Sequence, residues 1–235
     1  MTLPAQEDHR TRVGLERRAR MRQRLIEAAT PVFAEMGPEV AQIDDVIRQA
    51  GVSRGTFYNY FRSTDELLRA AVHLLSVEMV ALVYGAGDDA ALPAERFADG
   101  IKAFVDLATR HPLLLDFVSR LGVSTLGSDV LTPALAAERM VDVIAPEAAG
   151  DLSPNLARGI VEAATLALLL RVRAGAPVDI AGFVAAMLRA LGHPPPEAAR
   201  LAARPFTPLT IPTDSLIIRS ESARSRGAEL GRGPG

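Results

Sequence analysis

The sequence predicts an all-α protein, and two observations carry that prediction. Apolar residues recur at spacings of three and four through successive segments, each closed by Gly, Pro or Asp. The apolar mass is mostly Ala, Leu and Val, with 5% aromatic residues and no Trp, a mix that favours closely packed helices over sheets. With 235 residues and 49% hydrophobic content, the chain can fill a substantial core. The architecture expected is a three-helix head followed by a six-helix domain.

The first helix is expected from about Arg17, because Leu25, Ile26, Ala29, Val32, Phe33 and Met36 draw one stripe along it. It should end at Gly37-Pro38 and bend, without breaking, at Pro31. A second, short helix runs from Ile43 to Ala50, with Asp44 and Asp45 complementing the positive end of its dipole. Gly51-Val52-Ser53 makes a turn, and Ser53 caps a third helix over Arg54 to Phe61 whose Phe57 and Phe61, four apart, face inward. Ser63 and Glu66 form a capping box for a fourth helix through Val72, Leu75, Met79 and Leu82, closed by the loop from Gly85 to Asp89. Further helices are expected at about 94–109, 112–121, 129–144, 154–173 and 180–191. Beyond Pro194-Pro195-Pro196 the composition turns to Pro, Ser, Arg and Gly, which predicts a disordered tail with one short apolar contact at Leu216–Ile218. The segments expected are a basic flexible arm over 1–16, a head over 17–64, a second domain over 65–193, and the tail over 194–235.

Net charge is −2, yet its distribution is uneven. Seven arginines (Arg10, Arg12, Arg17, Arg18, Arg20, Arg22 and Arg24) face the single acid Glu16, whereas 63–195 holds 10 basic and 16 acidic residues. One end suits phosphates and the middle does not. Taken alone, the Arg block reads equally well as a solvated arm. The absence of cysteine excludes disulfides, thiolate nucleophiles and Cys-bound metals. His9, His73, His111 and His193 are scattered without metal-ligand spacing, and no phosphate loop or nucleophile motif occurs, so no enzyme, metal or cofactor is expected. The first residues lack an apolar signal core, and the apolar stretch from Ala163 to Leu170 is too short to span a bilayer, which places the chain in the cytoplasm with no membrane partner.

Two short helices joined by a tight Gly-containing turn, Ile43 to Phe61, make a helix-turn-helix. Its second helix offers Arg54, Thr56, Tyr58 and Asn59 outward, groups that donate hydrogen bonds to phosphates and base edges, while Gly55 leaves room for close approach. Exposed Tyr and Asn are also ordinary surface residues. The run from Ile43 through Gly51-Val52-Ser53, Gly55-Thr56 and Tyr58-Asn59-Tyr60-Phe61 to Ser63-Thr64-Asp65-Glu66-Leu67-Leu68 closely resembles the DNA-binding module of the TetR family. The resemblance covers about Arg18 to Val72; beyond it only a tetracycline-repressor-like layout is shared.

Carried over by position, the resemblance implies that Arg54, Thr56 and Asn59 address base edges or nearby backbone, and that Ser53, Tyr58 and Tyr60 hold phosphates of double-stranded operator DNA. Three departures stand out. The family's Thr-Thr before the second helix is Ala41-Gln42 here and its Lys after the capping Ser is Thr64, so two phosphate contacts weaken; Ile47 replaces a small Ala. The Arg-rich arm offers compensation by reaching an adjacent groove or backbone.

For the second domain, the resemblance implies a homodimer through the helices at 154–173 and 180–191, where Gly159, Ala163, Ala164 and Ala167 permit close approach. A two-fold pair reads a palindrome with half-sites about one turn apart. The resemblance also implies an unidentified small-molecule effector in a cavity near Phe97, Phe104, Phe117, Leu121 and Met140, its binding spreading the heads and releasing DNA. Arg120, Arg171 and Glu162 are candidates to orient it, or to pair among themselves. The function expected is a repressor released by an effector; the alternatives are a regulator of this fold governed by a protein partner or acting as an activator.

Overall fold

The computed structural model describes residues 4–85, 91–121, 137–148 and 150–230. Its elements are α1 (Pro4–Met36), α2 (Ile43–Ala50), α3 (Arg54–Tyr58), α4 (Thr64–Gly85), α5 (Pro93–Arg110), α6 (Pro112–Leu121), α7 (Ala137–Val143), α8 (Pro154–Arg173), α9 (Ile180–Ala190), α10 (Pro195–Ala202) and α11 (Leu216–Leu230), with a 3-10 turn at Pro146–Ala148. The fold is all-α, as the composition predicts. Among the described residues no helix is long and apolar enough to cross a membrane. The residues expected to end the fourth helix at 86–89, and the 129–136 part of the seventh, lie outside the described residues.

The chain divides into two units, residues 1–71 with 219–235 and residues 72–218. In the first, α1 packs on α2 and α2 on α3. Leu25, Ile26, Ala29 and Phe33 of α1, Val46 of α2, Phe57 and Phe61 around α3, and Leu67 at the start of α4 are buried. The stripe seen in the sequence is thus the face α1 buries. α1 is continuous through Pro31, which cannot donate to the Glu27 carbonyl.

In the second unit α8 packs on α6 and α7, and α5 on α6 and α9. One cluster joins Phe97, Ile101 and Val105 of α5, Met140 of α7, Val161 and Leu168 of α8 and Leu188 of α9. Ser153 caps α8 by accepting the Leu156 N–H at 3.3 Å, and Asp179 caps α9 by accepting the Gly182 N–H at 2.8 Å. Arg173 of α8 pairs with Asp116 of α6 at 2.8 Å.

Two expectations are corrected. Residues 4–16 are not a separate flexible arm but the first turns of α1, which at 33 residues is about 50 Å long. Its Ala, Leu, Glu and Arg content propagates a helix that the folded stripe has already nucleated. Within the expected tail, the described residues 194–230 include two helices, α10 and α11. The prolines that suggested disorder occupy the first turn of α10, where a missing N–H costs nothing, and Ala198, Leu201 and Ala202 bury into the second unit's core. Buried Lys102 of α5 then donates to the carbonyls of Leu201 at 3.3 Å and Arg204 at 2.7 Å, closing the helix's negative end. Glu95 holds Arg204 at 2.7 Å beside it.

Candidate nucleic-acid interface

α2 and α3 are too short to be stable alone and owe their shape to capping and packing. At the start of α2 the Gln42 N–H donates to Asp45 Oδ2 at 3.0 Å, and Arg48 pairs with Asp45 at 3.2 Å. At its end Gly51 adopts the left-handed conformation, φ 61° and ψ 44°, and the Val52 N–H returns to the Ile47 carbonyl at 3.1 Å. Arg24 of α1 donates to the Ala50 carbonyl at 2.6 Å, placing a cation on the same helix end.

Ser53 caps α3, accepting the Thr56 N–H at 3.1 Å, while its hydroxyl lies 2.9 Å from that of Thr56. The regular helix ends at Tyr58, shorter than expected, but the Phe61 N–H still bonds the Phe57 carbonyl at 3.0 Å, so the turn carries both rings inward. Phe57 and Phe61 are 0% and 1% exposed with ring centroids 6.2 Å apart, whereas Tyr58, edge-on to Phe57 at 5.6 Å, is 52% exposed. Two buried rings thereby anchor α3 and turn its polar side to solvent.

Among the residues singled out from the sequence, Gln42, Ser53, Arg54, Gly55, Tyr58 and Asn59 are exposed, and Thr56, Tyr60 and Thr64 are half-buried. Arg54 lies 3.5 Å from Asp44, an exposed pair that a phosphate can displace at little cost. A Cβ on Gly55 would meet nothing nearer than Ser53 Oγ at 3.9 Å, so the outer side of this turn is open.

The sequence reading missed the part α1 plays here. The guanidinium of Arg18 sits 5.7 Å from the Tyr60 ring centre and donates to the Asn59 carbonyl at 3.4 Å, and that of Arg22 lies 5.1 Å from the Phe61 ring centre. Their signal was in the spacing. Arg18 and Arg22 extend the Leu25 and Ala29 stripe backwards by helical steps, so they share its inward-leaning face.

Residues expected near an effector divide. Phe97, Phe117, Leu121 and Met140 are buried and Phe104 is half-buried. Arg120 and Arg171 are exposed. Buried Glu162 has Arg158, one turn before it on α8, at 4.0 Å. On the opposite side of α8, Leu156, Ala163, Ala167 and Leu170 form an exposed apolar stripe.

A turn of this geometry, with a short second helix that buries phenyl rings and presents polar side chains, defines a helix-turn-helix DNA-binding regulator. Residues 25–71 match the model of the bacterial regulatory proteins of the tetR family. An uncharacterised HTH-type transcriptional regulator of Mycobacterium tuberculosis is 27% identical over 187 residues, 74% of this chain and 92% of that one. SrpR of Pseudomonas putida, an HTH-type transcriptional regulator, is 43% identical over 51 residues, 22% of this chain and 24% of its own length. The solved structure of RolR without ligand is similar over 80% of this chain and all of its own, with 26% identity and a TM-score of 0.63. RolR in complex with resorcinol is similar over 83% of this chain and all of its own, with 25% identity and a TM-score of 0.59. Residues 25–71 thus carry a DNA-binding segment of the tetR-family type, and over most of its length the chain is similar to HTH-type transcriptional regulators.

Proposed function

We propose that this regulator is a homodimeric repressor that leaves a palindromic operator when a small molecule binds its second unit. The carrying observation is the outer face of α3, open above two fully buried phenyl rings. Arg54, Thr56 and Asn59 meet base edges; Ser53, Tyr58 and Tyr60 meet phosphates; Gln42 and Thr64 flank them on the backbone. Arg12, Arg17 and Arg20, exposed along α1, add sequence-independent attraction. Dimerisation through α8 and α9 covers the Leu156, Ala163, Ala167 and Leu170 stripe and supplies the two-fold axis a palindrome requires.

The effector reading leans on RolR, a protein of similar fold whose structure contains resorcinol. In this chain it draws on Phe97, Phe104, Phe117, Leu121 and Met140 for an apolar site, with buried Glu162 and its neighbour Arg158 as charged groups on α8. Packing of Phe97 and Met140 into one core cluster favours the second reading, in which the interior is filled by side chains and control comes from a protein partner or the chain acts as an activator. A melting temperature raised by one member of a metabolite library supports the effector; indifference to the whole library supports the alternative.

Selection of bound fragments from random duplex DNA tests the DNA reading. The expected result is one palindrome with half-sites about a helical turn apart. No enriched sequence at all would overturn it. Within the selected duplex, Tyr58→Ala should weaken binding to every sequence by similar amounts, while Asn59→Ala relaxes preference at one position.

A further inference from the structure

We propose that α11 is a working part of the DNA-reading head, holding α2, and through α2 the recognition helix α3, in reading position; this rests on the DNA-binding reading above. Residues 219–230 of α11 belong to the same unit as α1, α2 and α3, although the chain separates them by well over a hundred residues. The docked face is Arg219, Ser220, Ala223 and Arg224, which fall on one side of a helix. Ser220 is 0% and Ala223 7% exposed, so small side chains let α11 approach closely.

Three contacts fasten that face to the head. Arg219 Nε lies 2.6 Å from Glu27 Oε1, and Arg224 Nε lies 2.9 Å from Glu35 Oε1, both acids being on α1. Gln49 Nε2 of α2 donates to the Ala223 carbonyl at 2.8 Å. The third is the informative one. An eight-residue helix gains little from its own hydrogen bonds, so its orientation is set by what it packs on. Against α1 it buries Val46 and Ala50; through Gln49 it is tied to α11 as well. α11 is itself firmly started, since the Leu216 N–H donates to both oxygens of Glu78, at 3.0 and 2.8 Å, and Ser215 Oγ accepts the Ile218 N–H at 3.2 Å.

Gln49, Glu27 and Arg219 are therefore positioning residues, which act on DNA through α2 and α3. Two single variants of the full chain test this. Ser220→Lys wedges a long side chain into a fully buried position, and Glu27→Gln breaks the pair with Arg219; each raises net charge by one. If charge alone mattered, both would tighten binding to a duplex. Positioning demands the reverse.

Affinity is measured for the duplex selected by the unmodified chain, across a salt series, with helix content checked by circular dichroism. The expected result is affinity about tenfold weaker in at least one variant, with an unchanged salt slope and full helix content. Equal or tighter binding in both overturns the proposal. Should the unmodified chain retain no duplex, the DNA reading itself has failed. Amide exchange over 45–52 then decides: acceleration by Ser220→Lys supports the docking role, and unchanged exchange overturns it.

Discussion

Arg24 Nη2 stands 2.6 Å from the carbonyl oxygen of Ala50, joining the middle of α1 to the last turn of α2 just before the left-handed Gly51. The guanidinium satisfies a carbonyl that the helix end leaves open and lays a positive charge against the negative pole of the dipole. Arg24→Met keeps the aliphatic stem and removes only the charge and its hydrogen bond. We expect a loss of about 1 kcal/mol in urea unfolding, and a weaker operator complex, because the turn that aims α3 begins at this carbonyl. Unchanged unfolding would show that water replaces the contact at no cost.

Gly55 separates the fold's needs from those of recognition. Its φ lies outside the left-handed region, and a Cβ there has open space around it, so Gly55→Ala should stabilise the free protein by about 0.5–1 kcal/mol through helix propensity. A duplex lying against α3 would meet the added methyl. Operator affinity should therefore fall although the melting temperature rises. A variant that gained stability and kept full affinity would mean that the DNA backbone does not approach this turn.

How much of this was legible depends on how local each signal is. Gly51, Ser53, Phe57 and Phe61 all act within a few residues of themselves, through a left-handed turn, a cap and a four-residue spacing, and the structure places each as the sequence predicts. Arg18, Arg22 and Arg24 were legible as charge but not as contacts, because their partners Tyr60, Phe61 and Ala50 lie 26 or more positions away. α11 was hidden more deeply. Its docked face reads Arg, Ser, Ala, Arg, a polar composition that resembles a solvated tail until Glu27, Glu35 and Gln49 are brought to it. Burial at Phe97 and Met140 was readable from helical spacing, whereas spacing alone does not distinguish a packed core from the wall of a binding site.

Lys102 gives a pH signature to the second unit. Burial holds its ammonium below the usual lysine range of 10.5, with Asp99 partly opposing the shift. Below the lowered folded value it is charged in both folded and unfolded chains and its contribution is constant. As pH climbs through the lowered folded value toward 10.5, the unfolded chain binds more protons than the folded one, so this group makes stability rise. Lys102→Met lacks that component and also strands the Leu201 and Arg204 carbonyls, at a cost of about 1–3 kcal/mol at pH 7. Urea titrations from pH 7 to 10.5 should show the wild-type advantage growing with pH. An advantage that shrinks over that range would contradict the assignment of burial as the leading cause.

Ala163 and Ala167 are small, exposed and one turn apart on α8, between Leu156 and Leu170. A stripe of this kind is poor at holding a ligand but suited to letting two helices pass closely, and in an isologous pair every residue on it is used twice. With the proposed α8 and α9 dimer, Ala163→Glu would bring an uncompensated carboxylate into that seam from each protomer. The expected penalty is about 3 kcal/mol, or roughly a hundredfold in the dimer dissociation constant. Ala199→Glu places the same charge on the exposed side of α10 and should leave association untouched. Sedimentation velocity over a concentration series separates the two. Because one head alone reads only half of a palindrome, the Ala163 variant should also lose most of its operator affinity while its circular dichroism stays helical. If both variants remain dimeric, the two-fold axis lies on another face, and the spacing of the half-sites must be sought from that face instead.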